Sequence, residues 1–410
     1  MRVSIKLPVI TWESVVFICF CVILCFISFI PQTLYEVYLI QIYAALGIIF
    51  ATLLFDKKLR RKLSNPGNWP LWLFVATMGF GLVNPLNPKL ALSTYFTQAI
   101  PMVLLFFVGE YLYSDTNMRK SINLVMCGCG IVVAIIGFLE LFFKKNIIYV
   151  CLMENYFYER YIGSRPMSTQ MNPVVLGTYF LGCLPFMIEL IKEKSLSVRV
   201  LGIISSLFAA VTVILTFSRQ VLLGFIAWLI AFLYLKGKRK LIIFLIFICI
   251  IFVTVCTFSG NYNINRFGFK RLVAGSYDSI ISEYRFNRIN MTCKILKVYP
   301  LSGIGLNHFR LRFKEYCPHN EGNAIHEFMI PDNMYLSVLA ETGIIGMSGF
   351  LIFMLWIFCA GLKNKSIAPL GAFVGMSVNM AAYELFFWQG MLMFFFLICG
   401  FIKGTEITDG

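Results

Sequence analysis

Apolar runs of about 20 residues, long enough to span a bilayer as helices, recur from one end of this chain to the other. Hydrophobic residues make up 59% of its 410 residues and charged residues only 13%. That balance excludes a soluble globular protein. The sequence therefore predicts an all-α, polytopic membrane protein that forms a single integral membrane domain over residues 1–410.

Apolar runs alternate with polar breaks in a pattern that predicts about 12 transmembrane helices. The first run, Val9 to Ile30, is too long for a signal-peptide core and has no small-x-small cleavage site, so we expect it to be kept. Two longer polar segments interrupt the pattern, at about 144–171 and 259–333. The predicted helices are 9–30, 36–55, 70–86, 90–112, 121–143, 172–191, 199–216, 220–235, 241–258, 334–362, 367–384 and 388–403.

Basic clusters beside the predicted helices set the expected orientation. Lys57–Lys62 and Lys236–Lys240 lie in short loops on the same side as both termini, whereas the short loops opposite carry almost no basic residues. Because short cytoplasmic loops are enriched in lysine and arginine, we expect cytoplasmic termini. Segment 259–333 is then a long periplasmic loop, with predicted amphipathic helices at Ser279–Val298 and His308–Tyr316 on the rim of the bundle.

The net charge of +15 does not indicate a nucleic-acid-binding protein, because no soluble segment interleaves basic and aromatic residues. The pair Cys127 and Cys129 lacks the spacing of metal ligands and has no second pair. The sequence also contains no nucleotide-binding fingerprint or P-loop. We therefore expect no nucleic-acid partner, no metal site and no cofactor.

Three arginines from separate parts of the chain, Arg165, Arg219 and Arg285, fall on the predicted outer side. Arg219 is the most informative, because only a few residues separate the two helices beside it, which places the guanidinium close to hydrocarbon. It either snorkels toward lipid phosphate or binds an anion inside the bundle. We favour the second role, since the planar guanidinium fork suits phosphate oxygens.

The other two arginines have simpler alternatives. Arg165 stands in a loop that leads into a helix, where Asn172 is a predicted cap before Pro173. Arg285 shares a helix face with Arg288, three residues later, and this face is otherwise a solvated basic surface.

Two acids lie near the same predicted membrane surface. Asp332 and Asn333 stand where the long polar segment returns to an apolar helix, and Glu341 lies about two turns deeper. Ionisable groups at that depth are costly and mark functional sites. The alternatives are that Asp332 or Asn333 caps the helix and that Glu341 is a structural acid paired with an arginine. Arginines and a carboxylate together suit a pyrophosphate carried on a lipid, where the carboxylate accepts a proton from a sugar hydroxyl.

Four short motifs follow one another over about residues 160–350, and in that order they resemble the O-antigen ligase/polymerase superfamily. Members are bacterial inner-membrane glycosyltransferases of the GT-C type. The first five predicted helices match this family by topology alone. The motifs are Arg165-Pro166 with Thr169 and Asn172-Pro173, then Thr216-x-Ser218-Arg219, then Arg285 before Pro300-Leu301-x-Gly303-x-Gly305 and Phe309, and finally Asp332-Asn333-x-x-Leu336 with Glu341-x-Gly343-Ile344-x-Gly346.

The resemblance implies an inverting, metal-independent transfer of a glycan from undecaprenyl pyrophosphate onto an acceptor hydroxyl. It also implies that Arg219 and Arg285 hold the pyrophosphate, with Arg165 as a third contact. Ligases of this family, which pass glycan to lipid A–core, typically have His-Asn where this chain has Asp332-Asn333. Polymerases vary there and often show Asp-Asn. The resemblance therefore favours a Wzy-type polymerase, a hexosyltransferase in which Asp332 is the base or orients the acceptor.

The expected location is the inner (cytoplasmic) membrane of a bacterium. Expected partners are an undecaprenyl-pyrophosphate-linked oligosaccharide, membrane lipids and, as an optional partner, a chain-length regulator. Alternatives are an O-antigen ligase or O-oligosaccharyltransferase on the same fold and, among non-enzymes, a lipid-linked glycan transporter. The expected catalytic residues are Asp332, Arg219 and Arg285, and the expected substrate-binding residues are Arg165, Asn172, Ser218, Arg288, Asn333 and Glu341.

Overall fold

The computed structural model describes residues 12–29, 46–48, 51, 61–145, 165–241, 279–316, 331–385 and 388–405. Over these ranges the chain forms helices and turns without any strand, which confirms the all-α prediction. The predicted helices 36–55 and 241–258 lie largely outside the described residues. The α-helices are α1 (Trp12–Phe29), α2 (Trp69–Met78), α3 (Pro88–Tyr113), α4 (Thr116–Phe143), α5 (Pro173–Leu190), α6 (Leu196–Leu215), α7 (Arg219–Leu235), α8 (Ser279–Val298), α9 (Phe309–Tyr316), α10 (Met334–Lys363), α11 (Ile367–Asn379) and α12 (Gln389–Gly404).

Five of these helices, namely α3, α4, α5, α6 and α10, are long and apolar enough to cross a membrane. Large apolar side chains such as Phe142, Leu207 and Leu355 are exposed on the outside of the bundle. A helix that is apolar on its outer face as well as its inner face suits lipid surroundings. The fold is therefore consistent with a membrane protein, and the count of about 12 membrane crossings stays a prediction.

Helix α12 lies in the centre of the bundle, since all of its residues from Gly390 to Gly404 are buried. It packs along α3, where Gly400 and Gly109 let the two backbones approach each other. A Cβ on Gly400 would collide with the carbonyl oxygen of Phe106, and one on Gly109 would collide with that of Leu397. Small residues at such crossings are the usual means of close helix packing inside a membrane.

A cluster of three phenylalanines fixes α10 against the centre. The ring of Phe353 on α10 stacks at 5.7 Å on Phe74 of α2 and at 5.2 Å on Phe396 of α12. Aromatic pairs add to the stabilisation that burial of apolar surface provides. Helix α10, which carries the expected site residue Glu341 and begins directly after Asp332 and Asn333, is thereby anchored to the core.

The predicted helix 334–362 is present at Met334–Lys363, but it is broken at Gly343, where φ is 66°. Segment 299–309 enters the break. There the N–H of Ile304 donates to the carbonyl of Ala340 at 3.0 Å, and the N–H of Ile344 donates to that of Pro300 at 2.9 Å. These bonds replace helix hydrogen bonds that the break removes, as buried backbone groups require.

Segment 299–309 contains the motif Pro300-Leu301-x-Gly303-x-Gly305. The structure shows that this segment connects the two rim helices to α10. The rim helix predicted at Ser279–Val298 is confirmed as α8, and the second is confirmed as α9, beginning at Phe309. Both helices are held in place through the break in α10.

We expect Gly343→Ala to destabilise the protein strongly. An alanine at that φ costs about 1–3 kcal/mol from backbone strain alone, and its Cβ would also collide with the carbonyl oxygen of Leu301. Gly128→Ala is the matched control, because nothing lies within 4 Å of a Cβ at that position. Thermal unfolding of the purified proteins in detergent measures the difference, and equal melting temperatures for the two variants would contradict the break.

Candidate active site

The loop before α5 is held by Glu140, a buried acid on α4 that the sequence analysis did not single out. Its Oε2 accepts the N–H groups of Met167 at 3.0 Å and Ser168 at 2.7 Å. On the other side, the Thr169 hydroxyl donates to the carbonyl of Ser28, at the end of α1, at 2.5 Å. The loop is therefore fixed between α1 and α4.

Arg165 begins the described part of this loop and is only 9% exposed. Its Nε donates to the carbonyl oxygen of Thr216 at 2.5 Å. Thr216 directly follows α6 and lies three residues before Arg219, the first residue of α7. The structure thus brings the segments of Arg165 and Arg219 together. The Arg219 side chain is exposed, and the buried Ser218 hydroxyl has no hydrogen-bond partner among the described residues.

Two of the expected substrate-binding residues are helix caps. The Oδ1 of Asn172 accepts the N–H of Val174 at 2.8 Å and so caps α5. The Oδ1 of Asn333 accepts the N–H groups of Tyr335 and Leu336 at 2.9 and 3.1 Å and so caps α10. Of the two alternatives for the start of α10, Asn333 is the cap, and Asp332 is available for another contact.

A short turn, Met380–Ala382, joins the beginnings of α7 and α10. The Nε2 of Gln220 donates to the carbonyl of Ala382 at 3.2 Å. The Nδ2 of Asn333 donates to the carbonyl of Ala381 at 2.6 Å. We call the end of the bundle where α7 and α10 begin the site end. The sequence placed this turn inside helix 367–384 and gave it no role.

An ion pair lies at the site end between Nη1 of Arg288 on α8 and Oδ2 of Asp332. The Arg288 side chain is 4% exposed and the Asp332 side chain 36% exposed, so the pair has one buried and one accessible partner. Two residues predicted from sequence are therefore in direct contact. Arg285 lies on the same helix, three residues earlier, and its side chain is outside the described part of the structure.

Glu341 is also buried, but its described partners are backbone groups. Its Oε2 accepts the N–H of Asn307 at 2.9 Å, and its Oε1 accepts that of Phe309 at 3.3 Å. Pairing with an arginine was one sequence-based hypothesis, and none of the described arginine side chains forms that pair. The structure gives Glu341 the role of holding the rim segment at the break in α10.

Glu384 is a third acid at the site end, and the sequence analysis missed it. It lies between α11 and α12, is 7% exposed and accepts a hydrogen bond from the Ser337 hydroxyl at 2.6 Å. Burial first, and then the negative charges of Glu341 and Asp332, raise the pKa of its carboxyl to about 8, against the opposing Ser337 hydrogen bond and Arg288 charge. The only sign of Glu384 in the sequence is that it is a single acid at the end of an apolar run, where an ionisable group is costly.

The site end thus combines exposed and buried arginines with carboxyls that differ in surroundings. Arg219 is exposed and Asp332 is half-buried, so both can meet a ligand, whereas the buried Arg165 and Arg288 support them from inside. Over the described ranges, no group of three or more histidine, cysteine and acidic side chains is placed to hold a metal ion. Such an arrangement can bind an anion and orient a hydroxyl beside it.

The fold and the site define a class: a helical membrane protein with a cationic and acidic site at one end of its bundle. Residues 204–351 match the family model described as O-antigen ligase. Over this segment the match supports the resemblance to the O-antigen ligase/polymerase superfamily, whose members are glycosyltransferase-like enzymes. That family implies lipid-linked glycan substrates and a membrane setting.

The matched segment contains Ser218, Arg219, Arg288 and Asp332, but not the 165–172 loop or the Met380–Ala382 turn. No curated protein matches the chain. The contacts of Arg165 and of the turn are therefore known from the fold and not from the family match.

We expect Asn333→Ala to lower the free energy of unfolding by about 1 kcal/mol, because it removes the cap of α10. Asp332→Asn keeps an oxygen for Arg288 and leaves the cap intact, so we expect a smaller loss. Chemical unfolding of both purified variants in detergent gives the comparison. An equal or larger loss for Asp332→Asn would show that Asp332 is mainly a structural residue.

Proposed function

We propose that this protein is a Wzy-type polysaccharide polymerase of the bacterial inner membrane. It transfers a glycan from undecaprenyl pyrophosphate onto an acceptor hydroxyl of another lipid-linked repeat unit at the periplasmic face. The transfer inverts the configuration at the sugar and uses no metal ion. The proposal is supported by the hydrogen bonds that link the segments of Arg165, Arg219 and Asp332 at one end of an apolar bundle, and by the ion pair between Arg288 and Asp332.

In this proposal, Arg219 and Arg285 bind the diphosphate of the donor and Arg165 supports them. A guanidinium binds two phosphate oxygens at once and stabilises the charge that develops as the diphosphate leaves. The hydrogen bond from Arg165 to the carbonyl of Thr216 supports this division, since it fixes the chain just before Arg219. Arg219 is exposed at the first turn of α7, where helix N–H groups add to the attraction for an anion.

Asp332 has two candidate roles, the base that accepts the hydroxyl proton and the group that orients the acceptor sugar. The pairing with Arg288 favours orientation, because one carboxylate oxygen is already engaged by the guanidinium. The second oxygen can accept a hydrogen bond from a sugar hydroxyl. Arg288 then serves the site by holding Asp332 in position, and not by binding the donor directly.

The choice of polymerase over ligase rests on Asp332-Asn333, where ligases typically carry His-Asn. The two activities leave different products when the enzyme is inactive. A cell without the polymerase attaches single repeat units to its lipid A–core, whereas a cell without the ligase accumulates full-length polymer on the lipid carrier.

We expect Arg219→Ala and Arg285→Ala to reduce polymer formation by about 100-fold or more, as the loss of a charge-stabilising contact does. Arg219→Lys should restore little, because an ammonium lacks the planar fork. Arg310→Ala is the matched control, since Arg310 is an exposed arginine on rim helix α9. The measurement is the chain-length pattern of surface glycan in cells whose own gene is replaced by each variant.

Single repeat units on the core in Arg219→Ala cells support the polymerase. Full-length polymer that stays on its lipid carrier would indicate that the protein is a ligase and not a polymerase. Normal polymer would show that Arg219 is not part of the site. Labelled lipid-linked glycan that crosses vesicle membranes containing the purified protein, without any polymer, would support the transporter instead.

The ion pair changes what we expect of Arg288. As part of a solvated basic face, Arg288→Ala would have a mild effect, but the buried pair with Asp332 predicts a loss close to that of Asp332→Ala. Because the two residues act as a unit, the double variant should lose no more than either single variant. Polymer yield from purified protein and lipid-linked repeat units tests this, with Lys297→Ala as the control on α8. If the loss of activity in the double variant equalled the product of the two single losses, the two residues would act independently of each other.

A further inference from the structure

Glu384 is a buried acid beside the candidate site, and only one of its two carboxylate oxygens has a described hydrogen-bond partner. Its Oε1 accepts from Ser337 at 2.6 Å, but its Oε2 is buried and has no partner among the described residues. The residue follows the Met380–Ala382 turn by two positions, and that turn contacts both α7 and α10. Glu384 therefore lies next to the turn that connects the two sides of the site, and it is buried.

Charged groups from several elements surround this carboxyl. Asp332 directly precedes α10, Glu341 lies in α10, and Arg288 lies in α8. The charges of all three residues influence the carboxyl of Glu384. The buried Tyr383 hydroxyl is its chain neighbour. Arg219 begins α7, whose next residue, Gln220, contacts the turn.

The balance of these charges is unfavourable for binding an anion if every acid is ionised. Glu384 would then add a third negative charge to those of Asp332 and Glu341, and its second carboxylate oxygen has no described partner to offset that charge. An incoming diphosphate adds further negative charge at short range, where like charges repel strongly because little water screens them. A neutral Glu384 removes the part of this repulsion that no described hydrogen bond offsets.

We propose that Glu384 is a positioning residue that must be uncharged for the site to bind the diphosphate of the donor. A neutral Glu384 leaves Arg288 to hold Asp332 and adds no repulsion toward the donor. An ionised Glu384 competes with Asp332 for Arg288 and repels the diphosphate. This proposal rests on the proposed function, since it concerns the same donor.

The sign of the pH dependence follows from the surroundings of the carboxyl. With its pKa raised to about 8, Glu384 is neutral at pH 7 and ionised at pH 9. If the donor binds only the neutral form, its affinity falls about tenfold between pH 7 and pH 9. Affinity is therefore retained below pH 8 and lost above it.

The test is the binding of labelled undecaprenyl pyrophosphate to the purified full-length protein in nanodiscs between pH 6.5 and 9. We expect Glu384→Gln, which mimics the neutral acid, to bind at pH 7 and to show no alkaline loss beyond that of the lipid's own ionisation. Dividing the wild-type affinity by that of the variant at each pH removes the lipid's contribution. Glu315→Gln, at an exposed glutamate on α9, should follow the wild type.

Ser337→Ala gives an independent variant with little change in volume. Its hydroxyl donates to the ionised carboxylate and so favours ionisation. Removing it raises the pKa of Glu384 further, and we expect the loss of affinity to move to higher pH. This variant keeps the test decisive if Glu384→Gln does not fold.

A wild-type protein that binds no undecaprenyl pyrophosphate at any pH would overturn the proposed function itself. Binding by the wild type with the same pH profile in Glu384→Gln would overturn only the role of Glu384. Loss of binding at every pH in a Glu384→Gln protein of normal melting temperature would also overturn it, because a negative charge would then be required. An unshifted profile in Ser337→Ala counts against it in the same way.

Discussion

The carbonyl oxygens of Ala381 and Ala382 accept hydrogen bonds from Asn333 at 2.6 Å and from Gln220 at 3.2 Å. Asn333 caps α10, and Gln220 lies in the first turn of α7, so one short turn connects two helix ends that are distant in sequence. Arg165 and Arg219 belong to the α7 side of this connection. Arg288, Asp332 and Glu384 belong to the α10 side. The candidate site exists because the turn holds both sides together.

The hydrogen-bond partners and the burial of each side chain distinguish the residues that build this site from those that can contact a substrate. A buried polar group without a partner costs about 1–3 kcal/mol. Glu341 avoids this cost by accepting backbone N–H groups with both carboxylate oxygens, and Glu140 does so with one of its two. Both acids therefore belong to the scaffold. Asp332 and Arg219 reach the surface at the end of that scaffold. The chemistry proposed above is assigned to these accessible groups, and the buried ones position them.

Apolar periodicity was sufficient to predict the helical class, most helix positions and both rim helices, because burial in lipid or core follows directly from hydrophobicity. It could not predict the break at Gly343, since that break depends on backbone hydrogen bonds from segment 299–309. Helix spacing likewise put Arg285 and Arg288 on one face but did not indicate that Arg288 pairs with Asp332. Glu384 was missed because a single acid at the end of an apolar run gives no information about its three-dimensional neighbours.

In the proposed function, a lipid-linked diphosphate binds where α7 and α10 begin. A cryo-electron-microscopy structure of the protein with bound undecaprenyl pyrophosphate would show this site. We expect phosphate oxygens within hydrogen-bond distance of the Arg219 guanidinium, beside the Met380–Ala382 turn. A diphosphate bound at the opposite end of the bundle, near Lys62 and Lys403, with Arg219 directed into lipid, would contradict it.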